Sequence, residues 1–136
     1  MVGDESGQVK LYVIWRTLNF RRTHSALFDH GEYVPLTVSG AKAAHVCAFA
    51  RAHESQTLVV IVPRLVLSLA AGVGRAPIGR DVWLDTRIVA ARGVRTTKFE
   101  NVFTGQSVAV SKHGDVATLS VAAALLYFPV ALLKSD

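Results

Sequence analysis

The chain has 136 residues, a formal net charge of +5, 51% apolar residues and 18% charged residues. That length allows one domain with a sizeable core, and the composition excludes an intrinsically disordered chain, which requires low hydrophobicity and high charge. The longest apolar run, residues 121–133, is interrupted by Pro129 and is too short to cross a bilayer. We expect no contact with a membrane.

The single cysteine, Cys47, bears on the cellular compartment and on reactivity. One cysteine cannot form an intrachain disulfide, so it suits a reducing compartment. Its apolar neighbours predict an inert core thiol rather than a nucleophile. The acidic and polar start of the chain, residues 1–6, argues against a secretory signal, and we expect a cytoplasmic protein.

Basic residues raise the question of nucleic-acid binding, because 15 lysines and arginines stand against 10 acids. The arginines are scattered, however, and only Arg21 and Arg22 are adjacent. No aromatic residues are interleaved with them to form a base-stacking platform. The pattern indicates a solvated surface, and we expect no nucleic-acid partner.

In chain order, the first predicted element is a helix over residues 8–23. Apolar side chains recur there at helical spacing, and the charges near its two ends suit the helix dipole. These side chains are Leu11, Ile14, Trp15 and Leu18. Tyr12, Val13 and Phe20 spread the apolar surface around much of the circumference, so we expect this helix to be covered on more than one side.

After a boundary at residues 25–31, short apolar runs alternate with turn residues, which is typical of a β-sandwich or barrel. The predicted strands are residues 33–38, 45–52, 58–62, 82–89, 98–103, 107–110 and 129–134. Pro35 predicts an edge strand, because proline cannot donate to a strand ladder. The continuous run 58–62 predicts a central strand buried on both faces.

The remaining segments are less regular. Residues 65–71 fit either a strand or a short helical turn, and residues 72–80, with three glycines, predict a mobile loop. Ser120 is predicted to cap a short helix over residues 121–126, which ends before the next proline.

Ten acids and five histidines are the residues that would supply catalysis or a metal site. Nearly all the acids fall in predicted turns or at strand ends, where solubility and turn formation account for them. His45 and His53 lie at opposite ends of one predicted strand, too far apart to share an ion. The loop 72–80 lacks the lysine and the hydroxyl residue of a phosphate-binding loop. We expect no catalytic residue, no metal site and no cofactor.

One cluster stands out on the predicted strand 82–89. Strand alternation would place four residues on one face: Asp81, Trp83, Asp85 and Arg87. A tryptophan flanked by an acid and an arginine can stack on a sugar ring and bond its hydroxyls. Trp83, Asp85 and Arg87 are therefore the candidate carbohydrate contacts. The same tryptophan can equally anchor the domain on a neighbour or cover the end of the sandwich.

Segments along almost the whole chain, taken in order, resemble the last part of bacterial maltooligosyltrehalose synthases. They are KLYVIWRTLNFRR (10–22), HSALF (24–28), GEYVPL (31–36), HVCAFAR (45–51), DVWLDT (81–86), NVFTG (101–105) and FPVALL (128–133). Each segment alone is a modest signal, and their shared order and spacing are specific. The chain departs from the family pattern at Leu84, where many relatives would carry glycine.

This resemblance implies the α-amylase superfamily, glycoside hydrolase family 13, whose members carry a (β/α)8 barrel followed by an antiparallel β-sandwich. The family converts the reducing-end α-1,4 linkage of a maltooligosaccharide into an α,α-1,1 linkage by intramolecular transglycosylation. It thus acts as a (1→4)-α-D-glucan 1-α-D-glucosylmutase, an isomerase of trehalose biosynthesis. The catalytic carboxylates belong to the barrel, and none of the catalytic motifs has a counterpart here.

The expected fold is mainly β: an antiparallel β-sandwich of Greek-key type preceded by one α-helix. Residues 1–26 would form a connecting helix that packs on the missing barrel, and residues 27–136 the C-terminal sandwich domain. The expected function is that of a non-catalytic domain that supports the barrel. The alternative is a carbohydrate-binding module that contacts maltooligosaccharides through the Trp83 strand.

The helix is expected to carry the contact with the barrel, which would explain its apolar circumference. Without the barrel, the helix face around Tyr12, Val13 and Phe20 would be exposed and would allow self-association. The family's pathway also implies a trehalose-releasing hydrolase as a further partner.

Overall fold

The predicted N-terminal helix is confirmed, and a second short helix follows it. The computed structural model describes residues 2–64, 78–90, 97–114 and 116–135. Helix α1 runs over Val2–Thr23 and ends at the predicted residue, where the His24 N–H donates to the Phe20 carbonyl oxygen (3.0 Å). Helix α2, Ser25–His30, is too short to show a helical period in the sequence, and it buries Leu27.

The described strands form two antiparallel sheets, which confirms the prediction of a mainly β sandwich. The strands are β1 (Glu32–Pro35), β2 (Thr37–Ser39), β3 (Val46–His53), β4 (Gln56–Pro63), β5 (Arg87–Ala90), β6 (Lys98–Asn101), β7 (Ser107–Ala109), β8 (Ser111–His113), β9 (Val116–Ser120) and β10 (Ala131–Ser135). One sheet has the order β1-β3-β4-β10-β6-β7, and the other has the order β2-β5-β9-β8. Short helical elements connect them: a 3-10 turn (Ala43–His45), α3 (Arg80–Trp83) and α4 (Val121–Ala124).

The predicted positions of two strands are confirmed, but the predicted burial of residues 58–62 on both faces does not extend to Val62, which is 40% exposed. Strand β4 lies at the centre of the six-stranded sheet, paired with β3 on one side and β10 on the other. Its Ile61 side chain joins the core between the sheets, whereas Leu58 is buried on the outer face. Strand β1 lies at one edge of the six-stranded sheet, as Pro35 predicted. Proline has no N–H to donate, and an edge strand has a neighbouring strand on one side only.

The predicted single strand 33–38 is wrong, because the chain changes sheets within it. Residues up to Pro35 pair with β3, and residues from Thr37 onward pair with β5 in the other sheet. Between them, the Leu36 N–H donates to the Ala48 carbonyl oxygen (3.2 Å). A crossover of one residue leaves no turn signal in the sequence, so two short strands look like one.

The six-stranded sheet is buried on both faces near its centre. Between the sheets, buried side chains from one sheet (Ile61, Phe99) belong to one cluster with side chains from the other (Ile88, Leu119). On the outer face, α1 and α2 supply buried residues to a second cluster with the sheet: Phe20, Leu27, Leu58, Val102, Phe103 and Leu132. Burying a side chain such as Leu132 contributes about 1.5–3 kcal/mol, so the helices are an integral part of the stability.

Cys47 is exposed, so the prediction of a core thiol is wrong. Successive side chains of a strand point to opposite faces, and in β3 Val46 and Ala48 take the buried inner positions. Cys47 therefore lies on the outer face. Apolar neighbours in sequence do not bury a residue when only one face of the strand is covered at that point.

Some of the predictions for the remaining segments fall on described residues. Ser120 caps α4 as predicted, since its Oγ accepts a hydrogen bond from the Ala123 N–H (3.2 Å). The segment 65–71, predicted as strand or helical turn, and residues 72–77 of the predicted loop lie outside the described residues. No helix in the described part of the chain has the length and apolarity needed to cross a bilayer.

Candidate interaction surfaces

The predicted strand 82–89 is wrong over its first half, where the chain instead forms a helical turn and a tight turn. Helix α3 ends at Trp83, the Thr86 N–H donates to the Trp83 carbonyl oxygen (3.0 Å), and β5 begins only at Arg87. Leu84 has φ +55° and ψ −124°, as in the first central position of a type II′ turn. Strand alternation therefore does not hold here, and the four predicted residues do not share a face.

Trp83, the first candidate for sugar contact, is fully buried. Its side chain is 0% exposed and belongs to the core between the two sheets. Its backbone is also fixed, because the Trp83 N–H donates to the Gly79 carbonyl oxygen (3.1 Å). A sugar ring needs an exposed aromatic face, so the position of Trp83 fits the packing interpretation rather than the sugar-contact one.

Asp85 and the adjacent Thr86 hold a loop onto this turn. The Ala41 N–H donates to Asp85 Oδ1 (3.0 Å), and the Lys42 N–H donates to Thr86 Oγ1 (3.0 Å). Gly40 begins that loop with φ +110°. The loop thus supplies two backbone donors to two side chains of the turn, which makes Asp85 part of a structural junction.

Arg87, the third candidate, is exposed at the start of β5. It pairs through the backbone with Ser39 of β2 and with Ser120 of β9. Trp83, Asp85 and Arg87 are close in sequence, but the structure does not place them on one surface. Their common feature is the junction between the sheets.

An apolar stripe on α1 is the most prominent exposed surface feature of the described residues. It consists of Leu11, Ile14, Trp15 and Leu18, which are exposed by 69%, 49%, 58% and 59%. Spacing of three and four residues places them side by side on one face of the helix. We refer to these four residues as the α1 stripe. Exposed apolar groups of this kind mark interaction surfaces.

The opposite face of α1 is attached to the protein's own sandwich. The Tyr12 hydroxyl donates to the Phe103 carbonyl oxygen (2.7 Å), and Arg16 Nε donates to the Val102 carbonyl oxygen (3.2 Å). Phe20 is 7% exposed within the outer cluster. The expectation that part of the face around Tyr12, Val13 and Phe20 is uncovered holds only for Tyr12, which is 37% exposed, because Phe20 is buried and Val13 is half-buried. A helix that is apolar all round does not reveal in its sequence which arc its own domain covers.

A cleft of about 520 Å³ lies between α1, α2 and the outer face of the six-stranded sheet. Its lining is mainly apolar, with four aromatic side chains: Phe28, Tyr33, Phe49 and Phe103. Arg51 is the one charged residue of the lining among the described residues. Nothing in the sequence pointed to this cleft, because its walls come from elements far apart along the chain.

Metal-ligating side chains are dispersed in the described part of the chain. Within it, no three histidine, cysteine, aspartate or glutamate residues lie close enough together to hold a metal ion. Lys134 Nζ and Glu100 Oε1 form an ion pair at 3.9 Å, and His53 Nε2 lies 3.9 Å from Glu54 Oε1. These are exposed or half-exposed pairs, which contribute little to stability.

The fold is that of a two-sheet antiparallel sandwich, and it recurs in a glycoside-processing enzyme. A noncanonic maltogenic alpha-amylase, AmyB, from Thermotoga neapolitana is similar in structure, with a TM-score of 0.50 and 13% sequence identity. The match covers 80% of this chain and 21% of that chain, so this chain spans about a fifth of the amylase. At this identity the likeness shows a shared fold. No protein-family model matches the sequence, and no curated protein shows significant similarity to it.

Proposed function

We propose that this chain is a non-catalytic C-terminal domain of a glycoside hydrolase family 13 enzyme, and specifically of a maltooligosyltrehalose synthase. Two observations support the assignment. The sandwich is shared with a part of an alpha-amylase, and seven ordered sequence segments resemble the end of the synthases. In this proposal the reaction belongs to a (β/α)8 barrel, whose catalytic groups lie at the C-terminal ends of its strands.

The observation that carries the proposal is the α1 stripe. The inner face of α1 is bonded to the sandwich through Tyr12 and Arg16, so the helix cannot turn its outer face inward. The outer face then presents large apolar side chains, Trp15 among them, that are 49–69% exposed. We assign this surface to the catalytic barrel. Trp15 would be its anchor, since buried tryptophans dominate the energetics of interfaces.

The role of the domain is to cover and stabilise the barrel. Covering the exposed part of four large apolar side chains contributes favourably to the contact between the two domains. The enzyme would work in the cytoplasm, in the synthesis of trehalose from maltooligosaccharides. A glucan-binding role through Trp83 lacks the exposed ring that it requires.

Coexpression with a barrel tests the proposal. The barrel region of a maltooligosyltrehalose synthase, without its own sandwich, is produced alone, with this chain, or with the stripe variant Leu11→Asp/Leu18→Asp. We expect the wild-type chain to copurify with the barrel at equal stoichiometry and to raise its soluble yield. The complex should consume the reducing ends of maltoheptaose, because an α,α-1,1 linkage has none.

The matched control is Tyr127→Asp, since Tyr127 and Leu11 are both 69% exposed and only Leu11 belongs to the stripe. Tyr127→Asp should copurify like the wild type, whereas the stripe variant should not. Equal behaviour of the wild-type chain and the stripe variant would refute the docking surface. A complex that increases reducing ends, and so hydrolyses maltoheptaose, would keep the superfamily assignment and exclude the synthase.

A further inference from the structure

The cleft beneath α1 and α2 has the shape and chemistry of a small-molecule site. Its volume of about 520 Å³ lies within the range of about 300–1,000 Å³ that is common for ligand pockets. Val13 and Thr17 of α1 line one side, and Val60 and Val62 of β4 line the floor. Such sites combine an apolar lining with a few well-placed polar groups.

Arg51 is the charged group that the described residues place in this cleft. It extends from the outer face of β3, and its Nη1 donates to the Phe28 carbonyl oxygen (3.0 Å) and reaches the Gly31 carbonyl oxygen (3.5 Å). These carbonyls belong to the C-terminal end of α2, where a cation is favoured by the free carbonyls. One edge of the guanidinium is thus fixed by the protein.

The rest of the guanidinium is not neutralised. No acidic side chain of the described residues pairs with Arg51, whose group is half-buried beside apolar walls. Nε and Nη2 have no hydrogen-bond partner among the described residues. Arginine presents its donors in a planar fork that matches a carboxylate. A half-buried cation against an aromatic wall therefore selects an anion with an apolar body.

We infer that this cleft binds a small apolar monocarboxylic acid. The carboxylate accepts hydrogen bonds from the free donors of Arg51, and the apolar body lies among Phe28, Phe49 and Phe103. This site is independent of the proposed function, because it lies on the inner side of α1 whereas the stripe lies on the outer side. Failure of the barrel interaction would leave it unaffected.

Binding of 2-naphthoate and of 2-naphthalenemethanol tests the inference, since the two probes share the ring system and differ in charge. Each is titrated into the chain by calorimetry, with amide chemical shifts recorded in parallel. We expect saturable one-to-one binding of the acid, with an affinity on the order of tenfold or more above that of the alcohol. The shifts should centre on Val60, Val62 and Arg51.

Variants separate the contribution of the Arg51 charge to binding from the contribution of the apolar cleft. Arg51→Gln should bring the acid to the affinity of the alcohol, and Arg51→Lys should retain part of the preference. Val62→Phe narrows the cleft without touching the guanidinium, so it should weaken both probes alike. Arg87→Gln, at an exposed arginine on the other sheet, is the matched control and should change neither affinity.

Three results with the wild-type chain would overturn the inference. They are the absence of saturable acid binding, equal affinities of acid and alcohol in the wild type, and shifts centred outside the cleft. Arg51→Gln can fail to fold, because the carbonyl oxygens at the end of α2 then lose their guanidinium donor. In that case Arg51→Lys and Val62→Phe still test whether the cleft binds the acid. Unchanged binding in Val62→Phe would place the probe elsewhere and reject the site.

Discussion

Leu84 combines a strained backbone with an unusual residue choice. Its φ of +55° and ψ of −124° fall in the region that suits glycine, and the position opens a type II′ turn. Glycine adopts this conformation without steric cost, so Leu84 bears backbone strain that glycine at this position would not.

We expect Leu84→Gly to raise the free energy of unfolding by about 1 kcal/mol. Backbone strain of about 1–3 kcal/mol is released, which exceeds the roughly 0.5–1 kcal/mol that glycine loses in conformational entropy. The Leu84 side chain is 47% exposed, so little burial is lost. The midpoint of urea unfolding at an unchanged m-value measures the effect. Leu84→Ala retains the Cβ atom and should give no such gain; a lower midpoint for Leu84→Gly contradicts the strain.

Gly40 is a second position with positive φ, and there a side chain would overlap with backbone atoms. An added Cβ would lie 2.6 Å from the Cα of Thr86, which is backbone and cannot move aside easily. We expect Gly40→Ala to lower the free energy of unfolding by at least about 2 kcal/mol, because strain and overlap act together. Gly105→Ala is the matched control, with φ +75° and nothing within 4 Å of the added atom. Equal losses in the two variants would show that overlap with the turn at Thr86 is unimportant.

At the scale of secondary-structure elements, α1 shows what periodicity can and cannot reveal. Its existence and its C-terminal end followed from the sequence, because apolar residues recur at helical spacing. Its orientation did not follow, since Tyr12 and Arg16 are fixed by carbonyl oxygens of residues 102 and 103, far along the chain. A long-range hydrogen bond between a side chain and a backbone carbonyl leaves no local pattern.

The exposed stripe predicts self-association of the isolated chain. Without a barrel, two stripes can cover each other, so the weight-average mass should rise with concentration from 14.7 kDa toward twice that value. Sedimentation equilibrium measures this rise. Leu11→Asp/Leu18→Asp should remain at the monomer mass, and Tyr127→Asp should behave like the wild type. A wild-type chain that stays monomeric at the highest concentrations contradicts self-association through the stripe.

For the whole molecule, the β-sandwich class could be predicted from the sequence, whereas the segments in which the chain passes from one sheet to the other could not. The β-branched run in β4 and Pro35 in β1 carry strong local signals, and both predicted positions are confirmed. The change of sheet at Leu36 and the turn after Trp83 carry no strong local signal, because both depend on partners distant in sequence. The placement of Trp83 was mispredicted for the same reason: the sequence predicted a regular strand with an exposed tryptophan, and the turn places Trp83 in the core.

The position of β10 has a consequence for how the molecule assembles. This strand, Ala131–Ser135, lies between β4 and β6, so its Ala131 pairs with Ile61. No strand links β4 to β6 in this sheet until β10 has been synthesised. Completion of the six-stranded sheet therefore requires residues from the last of the described strands. Contacts between such distant residues slow folding and lengthen the time during which open strand edges invite aggregation.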